Sequence, residues 1–216
     1  MTLQRAELLE AANVAYNNII AIGVGEPLAT AGFGEEKRQE GLQLAAGLQA
    51  KLDQQQAAKG HQIELTQEIQ VALSTCQRDM TALKRAIRTA DRIGDSALYT
   101  RLNLKGRQPK SYSGFVTFAK TTYNSILADE EILQAISGLN YPQERITALL
   151  QGISNLEALN LQQEQAKGTY RGLTQEIKAP EKALRDNLKI LQAIVNTIFS
   201  GEELERVIKS LQLAQA

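Results

Sequence analysis

The chain is poor in the residues that usually announce a chemistry. It has no tryptophan, one cysteine, one histidine, four prolines and only 5% aromatic side chains among 216 residues. A single thiol, Cys76, cannot close an internal disulfide, so a disulfide-stapled scaffold is excluded, and the odd thiol fits a reducing compartment. One histidine cannot furnish the paired Glu-x-x-His ligands of a ferritin-like di-metal centre. Without tryptophan and with few Phe or Tyr, the core must come from Leu, Ile, Val and Ala, which suits closely packed helices. Charge of one sign is missing too: 24 basic residues balance 24 acidic ones. Such a chain lacks the cationic excess that polyanion binding demands, so nucleic acid is not an expected partner. No run approaches the roughly 18 apolar residues of a membrane span, and the opening MTLQRAELLEAANVAYNN does not resemble a signal peptide. The expected location is cytoplasmic.

What the chain does have is self-similarity. Residues 57–69, AAKGHQIELTQEI, return at 165–177 as QAKGTYRGLTQEI, with eight of thirteen positions identical and Gly60 answered by Gly168. Upstream, AYNNIIA at 15–21 is answered by TYNSILA at 122–128. A fixed internal period is the mark of a repeat architecture. The expected fold is therefore all-α: two tandem helical-bundle repeats of long antiparallel helices with coiled-coil-like seams.

The helical stripes are clear. Ile69, Leu73, Cys76, Met80, Leu83, Ile87 and Ala90 alternate at spacings of three and four, and Ile177, Leu184, Leu188, Leu191, Val195 and Ile198 carry the same stripe one period later. A preceding helix is expected over about 35–59 and 142–167, opened by Glu35, Glu36 and Glu144 and by Pro142 in the first turn. Ala-Lys-Gly at 58–60 and 166–168 reads as a helix end, with Thr66 and Thr174 capping the next helix, so a hairpin turn is expected near each glycine. The competing reading is one long helix, because Ala45, Leu48 and Leu52 continue in phase through Gln55, Lys59, Gln62 and Thr66 to Ile69. First helices are expected over 3–22, broken by Gly23, Gly25 and Pro27, and over 112–138, read without a break. Short helices are expected at 94–102 and 201–212. The Gly, Pro and Ser content of LNLKGRQPKSYSG marks a linker, giving expected domains 1–103 and 114–216 joined by 104–113. Three helices of about 25 residues in such a period resemble the spectrin-type repeat in size and layout.

Few residues point to a reaction. His61, Glu64 and Glu68 could share a helix face as metal ligands, but Thr169 and Gly172 answer the first two, and a solvated histidine is the plainer reading. GVGEP at 23–27 and GFGEE at 32–36 lack the strand and Gly-Lys-Ser/Thr that phosphate loops need, so they read as helix punctuation. Cys76 falls within the apolar stripe and reads as a small hydrophobe. Arg101, Lys105, Arg107 and Lys110, with Tyr99 and Tyr112, form the only local basic excess. Gln54, Gln55, Gln56 and Gln62, and Gln162, Gln163 and Gln165, crowd the two glycine regions and could offer hydrogen bonds to a partner. No catalytic, cofactor-binding or metal-binding residue is assigned. The expected function is a noncatalytic scaffold or protein-interaction module that engages a protein partner or itself. The alternative is a bundle holding a small molecule or metal near Gly41, Ala45 and Gly47.

Overall fold

The computed structural model describes residues 4–94 and 97–213, and every regular element among them is helical. In chain order the helices are α1 (Arg5–Ala21), α2 (Gly25–Thr30), α3 (Glu35–Gly94), α4 (Leu98–Arg101), α5 (Tyr112–Leu127), α6 (Glu130–Ser137), α7 (Gln143–Glu176), α8 (Lys178–Ile198) and α9 (Gly201–Ser210). Among the described residues no helix is long and apolar enough to cross a membrane. Of the expected elements, Leu3, Asp95 and Ser96 lie outside the described residues.

The hairpin expected at Gly60 is replaced by uninterrupted helix. α3 runs 60 residues through Gly60, and α7 runs through Gly168 and Gly172. A helical glycine costs about 1 kcal/mol relative to alanine, a cost that good helix formers on both sides (Gln54 to Lys59, Gln62 to Leu65) offset. Two polar positions of the in-phase frame find partners on α7: Gln55 Nε2 donates to Thr174 Oγ1 at 2.8 Å, and Thr66 Oγ1 accepts from Gln163 Nε2 at 2.7 Å. Thr66 and Thr174 are accordingly not caps. Each hydroxyl donates to the carbonyl four residues back, Gln62 and Tyr170, at 2.8 Å in both cases.

The second long helix nearly repeats the first. Between α7 and α8, Ile177 keeps helical angles (φ −67°, ψ −29°), and Pro180 withholds one amide donor from the ladder. By contrast the helix expected over 112–138 is interrupted. Asp129 Oδ1 accepts the Ile132 amide at 3.2 Å, capping α6 with Glu130 and Glu131 in its first turn. The break after α1 is made at Gly23 (φ +72°), a conformation that favours glycine.

The chain forms two compact units. Unit 1 takes residues up to Lys59 and from Gly168 onward, so it contains α1, α2, the start of α3, the end of α7, α8 and α9. Its core gathers Leu8, Tyr16, Phe33, Leu48, Leu184, Leu191 and Val207. Unit 2 is Gly60–Lys167, holding the rest of α3, α4, α5, α6 and the start of α7. Met80, Leu83, Ile87, Phe115, Tyr123, Ile146 and Ile153 fill it. Each such fully buried side chain contributes about 1.5–3 kcal/mol of burial free energy. The units do not follow the halves 1–103 and 114–216 expected from the period, because α3 and α7 each carry the chain from one unit into the other. The segment expected as a free linker is anchored in unit 2, where Leu102 and Leu104 are buried and Lys84 Nζ donates to the Gly106 carbonyl at 3.3 Å.

Candidate functional site

Unit 1 is tied internally by polar groups. Tyr16 has no exposed surface, and its hydroxyl donates to Asn187 Oδ1 at 2.8 Å. Burial, then the negative charge of Glu40, pushes the Tyr16 hydroxyl pKa well above its ordinary value. The ring stacks beside Phe33 (centroids 6.5 Å apart) and lies against Gly41, where an added Cβ would come 2.4 Å from a ring carbon. Arg38, nearly buried, donates through Nη1 to the Tyr16 carbonyl at 3.2 Å and through Nε and Nη2 to both oxygens of Glu35 at 2.8 and 2.6 Å. Hydrogen bonds from Arg38 and Gln39 hold the Glu35 carboxyl down at about 2. Burial pushes the Glu181 pKa up, but hydrogen bonds from Arg185 (2.9 Å) and Arg5 (2.8 Å) outweigh it and leave it lowered.

His61 and Glu64 are well exposed, with Nδ1 and Oε2 3.8 Å apart. Among the described residues no group of three or more His, Cys, Asp or Glu is placed to hold a metal ion. The glycine-rich break is packed rather than open, with Val24, Leu28 and Phe33 buried. The space beside Gly41 holds the Tyr16 ring, and Ala45 is in the core. Cys76 is half-buried in unit 2, and burial, then Asp79, pushes its thiol up, so it is a poor nucleophile. Of the basic group, Arg101 is engaged by Asp129 and Glu131 at 2.5 and 2.7 Å, while Lys105, Arg107 and Lys110 are exposed. Gln55 and Gln163 bind threonines internally, whereas Gln54, Gln56 and Gln162 face solvent.

The surface that sequence reasoning missed lies on α3 in unit 2. Two shallow grooves flank Val71. One, of about 530 Å³, is lined by Gln67, Gln70, Ser74, Thr75 and Arg78 with Val71 itself. The other, of about 540 Å³, is lined by Glu64, Gln67, Glu68, Ala72 and Leu159 with Val71. Val71 is 68% exposed and Ile63 49%. Both had a signal: they are β-branched, apolar and outside the frame that carries Ile69, Cys76 and Met80.

No family model, curated protein or solved structure matches the chain. The face of α3 sets polar side chains around one exposed apolar residue, Val71.

Proposed function

We propose that the protein is a noncatalytic helical scaffold, a protein-interaction module built by internal duplication in which the two copies exchange halves of their long helices. The reciprocal seam supports the duplication. Gln163 answers Gln55 in the repeat and Thr174 answers Thr66, yet each glutamine bonds the threonine of the other copy. The interaction role is carried by one observation, the exposed face of α3 centred on Val71.

Two experiments test the two halves of the reading. Limited trypsin treatment at the exposed Lys105 and Arg107 should nick the chain into fragments that co-elute under native conditions and part only in denaturant, since each unit needs helices from both. Fragments that separate without denaturant would refute the exchange. For the role itself, a photo-crosslinking residue placed at Val71 in cells should yield protein adducts that the same probe at the exposed Gln43 does not. Equal labelling at both, or none at Val71, counts against an interaction module.

A further inference from the structure

We infer that the Val71 face of α3 binds a second copy of this chain, two α3 helices packing antiparallel about a twofold axis at Val71. The inference rests on the interaction reading above and names its partner. A twofold contact must be self-complementary, residue i meeting j while j meets i, and this stripe is ordered that way. Glu64 and Arg78 stand seven residues on either side of Val71, so an antiparallel partner sets each carboxylate opposite a guanidinium, twice. Gln67 and Thr75 stand four residues on either side, and Glu68 and Ser74 three, giving further donor and acceptor matches. Glu64, Gln67, Glu68, Ser74 and Arg78 are exposed, and Thr75 is half-buried. Among the described residues Arg78 has no ion-pair partner within the chain, and Glu64 has only the histidine 3.8 Å away.

The charge order also selects direction. Glu64 precedes Val71 and Arg78 follows it at the same distance, so a parallel pair would set Glu64 on Glu64 and Arg78 on Arg78, and only the antiparallel one sets each on the other. Val71 supplies the apolar centre, and the open space at Gly60 and the small Ala82 let the helices approach at both ends of the stripe. The corresponding stripe of the other copy cannot pair this way, since Glu64, Val71 and Arg78 are answered there by Gly172, Ala179 and Asp186. A contact along one helix face is small, below the usual 1,200–2,000 Å² or so of stable complexes, so the dimer is weak and salt-sensitive.

Sedimentation of the full chain, in low salt and up to millimolar concentration, should show a monomer–dimer equilibrium. Val71→Glu should abolish it. Glu64→Arg or Arg78→Glu alone should weaken it about tenfold or more, and the two together should restore it to within a few-fold of the original. With Cys76→Ala removing the native thiol, Val71→Cys should give a disulfide-linked dimer on mild oxidation, because a residue on the axis meets its own copy. All these positions but Thr75 and Cys76 are exposed, and circular dichroism checks that each variant keeps its helix. A strictly monomeric wild-type chain, a dimer indifferent to Val71→Glu, or a double charge reversal that fails to restore would each overturn the inference. A monomer whose Val71 probe still crosslinks to a different protein would sink the dimer and leave the scaffold reading standing.

Discussion

Tyr16 in unit 1 and Tyr123 in unit 2 occupy matching places in the two copies, and both are almost wholly buried. Their surroundings differ at the position that faces the hydroxyl of Tyr16. Tyr16 donates to the neutral amide of Asn187, and the position matching Asn187 in the other copy holds Asp79, a carboxylate. Burial, followed by Cys76, Asp79 and Tyr141, pushes the Tyr123 hydroxyl pKa up as well. A neutral pair can be buried at little cost once its hydrogen bond is made, whereas a carboxylate resists burial. Asn187 is accordingly buried, and Asp79 stays half-exposed. Unit 1 closes a buried neutral pair between its helices, and unit 2 leaves the matching carboxylate partly exposed.

The sharpest way to break this contrast is at Gly41, whose counterpart in the other copy is a partly buried leucine, Leu149. Gly41→Leu drives a side chain into the Tyr16 ring, and the overlap should outweigh the gain of about 1 kcal/mol from removing a helical glycine. A net loss of about 3 kcal/mol is expected, read as a lower urea midpoint. Next in size is the pair of hydroxyl deletions. Tyr16→Phe orphans the buried Asn187 amide and should cost about 1–2 kcal/mol, whereas Tyr123 has no hydrogen-bond partner for its hydroxyl among the described residues, so Tyr123→Phe should cost less. Equal losses in thermal unfolding would dissolve the contrast.

The smallest effect is acid sensitivity. Glu35 titrates near 2 in the folded chain, below its ordinary 4.5, so its contribution is present above about pH 4.5 and fades as pH falls toward 2. Glu35→Gln should flatten the stability profile within that window only, as followed by circular dichroism during acid titration. Alkali does not discriminate between the units. Both tyrosines have raised pKa values, so that contribution is full below pH 10 and is lost as pH climbs above it.

Much of this was legible in the residues. The spacing of Ile69 through Ala90 placed a helix and its buried face, Pro142 marked where α7 begins, and 201–212 closed with a helix. Continuity through Gly60 was not legible, because local preference and seam phase opposed each other there. The partner that Gln55 finds, Thr174, lies far away along the chain. The cap at Asp129 was present as Asp-Glu-Glu but was hidden by the smooth apolar pattern around it. The passage of α3 and α7 from one unit into the other had no local sign at all, since an apolar stripe states that it will be covered and not by which segment. The Val71 face was hidden for the opposite reason: Val71 and Ile63 are single apolar residues off the frame that packs, and isolated apolar residues are ordinary on a surface.

The run of exposed residues at Gln56, Ala57, Lys59, Gly60 and His61 in mid-α3 has a consequence in time rather than in space. Amide exchange ordinarily begins at helix ends, where protection is weakest. In α3 the hydrogen bonds near Gly60 are held by the helix with little packing beside them, so their protons should exchange ahead of those at Leu48 and Met80 on either side. An exchange map would then register one continuous helix as two slow stretches with a fast centre, the kinetic trace of a glycine that the chain folds straight through.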